Sequence, residues 1–158
     1  TDGQSAKVRV VHFACHGAVD PGHPEYSCIY LADDKPLAPD VFHTAALGRQ
    51  TPLLFLNACQ VGTGETMLGD YAGFAGGSLR GGFRGFIAPL WSVNDEVARD
   101  VAKLFYDAAL PKRAGTGQAI GAILREIRQK YDGEADHPHS TYLAYVYYGH
   151  PRLKLQRA

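Results

Sequence analysis

The chain has 158 residues, 46% of them hydrophobic and 20% charged, which fits one globular domain. Its 16 lysines and arginines balance 16 aspartates and glutamates, so the formal net charge is zero. A neutral domain has no overall field that attracts nucleic acid or an anionic membrane, and we expect neither as a direct partner. No apolar run reaches the roughly 18 residues of a membrane span, and the first residues lack the pattern of a signal peptide.

The three cysteines, Cys15, Cys28 and Cys59, are an odd number, and no two of them have CxxC spacing. This favours free thiols in a reducing compartment over a disulfide framework. We therefore expect a cytoplasmic protein. The simplest expectation for Cys15 and Cys28 is that they are core residues.

Apolar runs rich in β-branched and aromatic residues predict the strands. In chain order the predicted strands are Val8–His16, Tyr26–Asp33, Leu53–Ala58, Gly85–Trp91 and Tyr142–Tyr148. All but the second are apolar on both faces, which predicts burial between two layers. The turn residues "DDKPL" after the second strand predict a hairpin.

Helical spacing of apolar residues fills the gaps between the predicted strands. The predicted helices run from Pro39 to Leu47, within Met67–Arg80, from Asn94 to Pro111, and from Thr116 through Ile127. Asn94 and Thr116 are the predicted N-caps of the last two. The alternation indicates an α/β three-layer sandwich with a mostly parallel central sheet. No repeat or linker divides the chain, so we expect residues 1–158 to form a single domain.

Two of the predicted strands end in reactive side chains. His16, followed by Gly17, closes the first strand, and Cys59 closes "LLFLNAC". Chemistry in open α/β sheets collects at the carboxyl ends of strands, and neighbouring parallel strands would bring these two ends together. An imidazole beside a thiol can take its proton or stabilise the thiolate. The backbone N–H groups of Gly17 and Cys59 would then form an oxyanion hole.

The same residues have simpler interpretations. Free cysteine is among the most buried residue types, and a histidine at a strand end can simply bind a carbonyl. A metal site at His12, Cys15 and His16 is disfavoured, because on a strand the first and last share a face and the other points away. The glycine-rich Gly76–Gly85 lacks the lysine end of a phosphate-binding loop, and its two arginines supply little affinity for RNA. A helix C-cap and close backbone packing explain that stretch better.

Four motifs in this order resemble the caspase-like cysteine peptidases, and most closely the bacterial CHAT domains. They are "HFACHG", "LLFLNACQVG", "GFIAPLWSVNDEVARDVAKLFYDAAL" and "YLAYVYYGHP". The resemblance implies a caspase-like fold and hydrolysis of peptide bonds, with Cys59 as nucleophile and His16 as general base and acid. It implies no metal and no organic cofactor. It also implies that Leu90–Asp95 lies beside an extended protein or peptide substrate, with these residues in the binding role: Trp91, Ser92, Val93 and Asp95.

The chain departs from the family pattern in several places, and one of them is directly before the cysteine. Asn57 stands where caspases have glutamine before Ala-Cys, so no preference for aspartate carries over. Asp95 would meet a basic P1 side chain, although the helix dipole explains an acidic residue there equally well.

A larger departure is at the N-terminus of the chain. In the caspase-like fold two strands and a helix precede the histidine strand, whereas here seven residues precede Val8. We therefore expect the first strands of the family fold to be missing. An upstream regulatory segment or a partner chain would complete the sheet beside Val8–Ala14. The alternative function is that of a catalytically silent, caspase-like protein-interaction module.

Overall fold

The structure, a computed structural model, describes residues 9–18, 27–44, 51–60, 70–91, 93–113, 115–132 and 140–156. At residues 59, 60, 70–72, 130–132, 140 and 141 it describes the backbone alone. Parts of four predicted elements, at residues 8, 26, 45–47 and 67–69, lie outside these ranges.

Six strands and four α-helices follow one another along the described ranges. In chain order they are β1 (Val10–Ala18), β2 (Cys28–Tyr30), β3 (Pro36–Leu37), α1 (Asp40–Thr44), β4 (Leu53–Gln60), α2 (Asp70–Arg80), β5 (Gly85–Pro89), α3 (Asp95–Ala109), α4 (Ile120–Asp132) and β6 (Tyr145–Gly149). Short 3-10 helices lie at Ala32–Asp34 and Ser140–Ala144. None of these helices is long and apolar enough to cross a membrane.

The strands form one sheet in the order β3-β2-β1-β4-β5-β6. The central strands β1, β4 and β5 are parallel, and the predicted hairpin β2–β3 and the edge strand β6 are antiparallel to their neighbours. Helices α1 and α2 pack on the face of Leu54 and Leu56, while α3 and α4 pack on the face of Leu53 and Phe55. This confirms the α/β three-layer sandwich with parallel strands at its centre.

The two predicted N-caps have different outcomes. Asn94 is confirmed, because its Oδ1 accepts hydrogen bonds from the backbone N–H groups of Glu96 (2.9 Å) and Val97 (3.3 Å). Thr116 is wrong as the cap of α4, which begins at Ile120. The N–H of Ile120 donates to the carbonyl of Leu153 at 2.9 Å, and the N–H of Gly121 donates to the carbonyl of Pro151 at 3.0 Å. A long-range contact therefore caps this helix.

The glycine-rich stretch ends α2 and lets it approach α1 closely. Gly82 has φ of 96°, the left-handed conformation that glycine adopts without strain. At Gly81 a Cβ atom would lie 1.8 Å from the carbonyl oxygen of Phe42. No side chain fits there, which confirms the interpretation of this stretch as a helix end with close packing.

Strand β1 is less covered than its sequence predicts. Three alternate residues, His12, Ala14 and His16, are exposed, so the expected burial on both faces is wrong. Their neighbours on the other face, including Cys15, are half-buried and pack against the core. Cys28 is also half-buried.

The pairing of β1 is incomplete as well. The strand runs on to Ala18, and β2 pairs with it only at His16–Ala18. Within the described ranges, no strand pairs with residues 10–15 on the side away from β4. An upstream or partner segment at this position stays a prediction.

Candidate active site

His16 and Cys59 lie opposite each other on neighbouring parallel strands. The β1–β4 register runs from Val10↔Leu53 through His16↔Cys59 to Gly17↔Gln60. Neighbouring strands are about 4.8 Å apart, so the backbones of the two predicted dyad residues are adjacent. The His16 side chain is exposed. Cys59 is described by its backbone alone, and the sulfur–imidazole distance stays a prediction.

The backbone amides expected to hold an oxyanion lie within the β1–β4 ladder. The N–H of Leu53 donates to the carbonyl of Arg9 at 2.9 Å. This bond shows that the backbone groups of Arg9 and Leu53 point at the partner strand. Along a strand these groups point to alternate sides, so the N–H and C=O groups of every odd-numbered residue in β1 and β4 face the other strand. Gly17 and Cys59 are among them, and the register continues past both. An oxyanion hole at these two amides therefore requires the end of the ladder to open.

A groove with a volume of about 410 Å³ opens beside His16, between β1 and α3. At the end near the carboxyl ends of the strands, His16, Asn57 and Asp95 line it. Helix α3 continues the wall with Arg99 and Ala102, one helical turn after another. The groove thus joins the predicted histidine to one predicted substrate-binding residue, the acidic Asp95.

The other predicted substrate-binding residues are placed differently. Val93 is buried, 7% exposed, and Trp91 packs against the cores on both faces of the sheet. Neither is among the residues that line the groove. The indole Nε1 of Trp91 is buried and has no hydrogen-bond partner among the described residues. Ser92 lies outside the described ranges.

Asn57 has a structural role that sequence reasoning missed. Its side chain is 8% exposed and donates from Nδ2 to the Ala98 carbonyl of α3 at 3.1 Å. The hydroxyl of Tyr145, on β6, donates to Asn57 Oδ1 at 2.7 Å. Two residues before Cys59, Asn57 therefore ties the end of β4 to α3 and β6. The sequence did carry a signal for this role, since Asn57 is an amide within the otherwise apolar run of β4. A polar side chain that is buried in such a strand needs hydrogen-bond partners.

His12 lies at the other end of the groove. The residue as a whole is exposed, but one side of its ring stacks on Phe55, with ring centroids 4.6 Å apart and planes inclined by 15°. Partial burial of the ring lowers the pKa of the imidazole. It lies four residues before His16, about 13 Å along the strand, which is out of reach of the dyad. Within the described part of the chain no three His, Cys, Asp or Glu residues group as metal ligands.

The parallel centre of this sheet carries a histidine strand beside a cysteine strand, with a groove at their carboxyl ends. This arrangement is that of a caspase-like α/β sandwich. A sequence model of the CHAT domain family matches residues 3–149, so the chain belongs to the CHAT domain family. This confirms the resemblance carried by the four motifs. No curated protein sequence matches the chain.

Proposed function

We propose that this protein is a cysteine endopeptidase that hydrolyses peptide bonds in protein substrates. The observation that carries the proposal is the register of His16 with Cys59 at the carboxyl ends of the central parallel strands, beside an open groove. Membership of the CHAT domain family supports it, because the family is caspase-like.

In the proposed reaction His16 takes the thiol proton of Cys59, and the thiolate attacks the carbonyl carbon of the scissile bond. The tetrahedral intermediate collapses as the C–N bond breaks, and the imidazolium gives its proton to the leaving amine. Water then attacks the resulting thioester, with His16 taking a proton from it. The acid product leaves, and the proton returns to the Cys59 thiolate.

The oxyanion hole would form when the end of β4 separates from β1. Backbone N–H groups stabilise a tetrahedral oxyanion only when they point at it. In the β1–β4 ladder the amides of Gly17 and Cys59 face the neighbouring strand instead. The proposed enzyme therefore has a resting form, and the regulation by an upstream segment or partner would act on this opening.

The groove supports a substrate with a basic P1 side chain. Asp95 lines the same groove as His16, and its carboxylate would pair with a lysine or arginine there. The segment Leu90–Asp95 would lie along the extended substrate, as in other peptide complexes in which a strand is added to a sheet. Asn57 would not read the substrate, because its amide is already bound on both sides.

The alternative is a catalytically silent interaction module that keeps the fold and binds partner proteins. The observation that favours this alternative is the pairing of the Gly17 and Cys59 amides within the ladder, which a non-catalytic domain would retain. Peptide hydrolysis requires the side chains of Cys59 and His16, whereas binding of partner proteins by a catalytically silent module does not.

The test is cleavage of a peptide library by the wild type, Cys59→Ala, His16→Ala and the control Cys15→Ala. Cys59→Ala and His16→Ala should each lower kcat/KM by about a thousandfold or more, because dyad residues act as a unit. Cys15→Ala should retain activity, since burial raises the pKa of the Cys15 thiol and keeps it protonated. Cleavage that survives Cys59→Ala would reject Cys59 as the nucleophile, and no cleavage by the wild type would favour the interaction module.

A further inference from the structure

Strand β2 places a tyrosine beside the proposed dyad. Tyr30 is the register partner of His16 across the antiparallel β1–β2 pair, and Cys59 is the partner of His16 on the other side. Directly opposed residues belong to the same face of a sheet. Ile29, which precedes Tyr30, packs in the core of the opposite face. Tyr30, His16 and Cys59 therefore occupy one row across three neighbouring strands, in that order.

The Tyr30 ring is accessible at the surface. Its side chain is 36% exposed, which makes it one of the few large apolar side chains on the described surface. Its interaction with the side chain of Cys28, more than burial, raises the pKa of the phenol. A tyrosine ring supplies a large contact area at a low cost in conformational entropy.

We propose that Tyr30 forms the S1′ subsite, which receives the first residue on the leaving-group side of the cleaved bond. This inference rests on the proposed function. His16 must lie next to the leaving nitrogen to give it a proton, so residue P1′ lies on the His16 side of Cys59. The next position in the row is Tyr30, two strand spacings or about 9.6 Å from Cys59.

The apolar ring of Tyr30 determines which P1′ residues the proposed subsite prefers. Tyr30 is partly exposed in the row beside His16, and the faces of its ring are apolar. Aromatic side chains pack on such a ring in offset or edge-to-face geometry, and aliphatic side chains bury area on it. The subsite therefore selects aromatic and large apolar P1′ residues over glycine and alanine.

The test is a library of internally quenched peptides, randomised at P1 and P1′, with the variants Tyr30→Ala and Tyr30→Phe. Tyr30→Ala should lower kcat/KM for aromatic P1′ residues about threefold to tenfold, the effect of one lost ring contact. It should leave glycine and alanine at P1′ within about twofold, because these residues make little contact with the ring. Tyr30→Phe should keep the wild-type preference, and so should the control Leu31→Ala, an adjacent side chain that is 37% exposed.

A peptide aldehyde, which fills only the P1 side of the site, separates this role from a structural one. Its inhibition constant should be the same for the wild type and Tyr30→Ala. An equal loss of activity across all P1′ residues, or weaker aldehyde binding, would overturn the S1′ assignment. If Cys59→Ala is inactive and Tyr30→Ala keeps the aromatic preference, only the S1′ assignment fails. If the wild type cleaves nothing, the assignment fails together with the proposed function.

Discussion

Strands β1 and β4 are neighbours in one sheet, yet they are held in different ways. Every side chain of β4 from Leu53 to Ala58 is at most 8% exposed, whereas β1 alternates exposed and half-buried residues along most of its length. β4 has a strand on each side, while residues 10–15 of β1 are paired only with β4 in the described ranges. The strand of the proposed nucleophile is fixed by the core, and the strand of the proposed base is fixed mainly by its neighbour.

The strongest test of this contrast replaces two register partners, Phe55 on β4 and His12 on β1. Phe55→Ala should lower the free energy of unfolding by about 3–5 kcal/mol, the usual cost of emptying a buried aromatic site. Its ring is fully buried and packs on Phe105 and Tyr145. His12→Ala loses one stacked ring on the exposed side and should cost about 1 kcal/mol. Urea unfolding measures both, and equal losses would contradict the contrast.

A smaller effect is expected where β4 is tied to β6. Tyr145→Phe removes the hydroxyl that donates to Asn57 and keeps the buried ring. The free energy of unfolding should fall by about 1–3 kcal/mol, because a buried acceptor is left without its donor. Tyr148→Phe, on the same strand and half-buried, is the control and should change stability by less than about 0.5 kcal/mol. If the two variants are equally stable, the hydrogen bond contributes little to the attachment of β4.

The smallest effect concerns the titration of His12. Burial lowers the pKa of His12 from 6.5, so the folded protein binds this proton less readily than the unfolded chain does. The contribution of His12 to the free energy of unfolding is fully present when the pH is above the pKa of the imidazole in the unfolded chain. It is lost as the pH falls below that value toward the lower pKa of the folded protein. His12→Gln should therefore flatten the decrease in Tm between pH 8 and pH 5. A decrease as steep as that of the wild type would show that the His12 environment does not favour the neutral ring.

Local signals predicted the parts of the molecule that depend on local contacts. A continuous apolar run predicted β4, and both of its faces are buried. Asn94 predicted the start of α3, because an N-cap bonds only to the residues that follow it. The adjacency of His16 and Cys59 was also predictable, since crossover connections align the ends of parallel strands.

Other features depend on residues that are distant in the chain and carry no local signal. An apolar run shows that β1 can be covered on both faces, but whether a second layer covers it depends on the rest of the fold. The start of α4 depends on carbonyls more than 30 residues later, at Pro151 and Leu153. The state of the Gly17 amide depends on pairing that continues beyond His16, where the sequence predicted the strand end.

The hydrogen bonds of Asn57 limit how the selectivity of this protein can be engineered. The residue before Ala-Cys is an obvious first choice for altering recognition, yet here both ends of its amide hold the scaffold together. Substitution there would perturb the attachment of three secondary-structure elements before it changed any contact with a ligand. The solvent-facing wall at Asp95 and Arg99 is the better starting point, because neither residue is the N-cap of α3 or one of its buried residues.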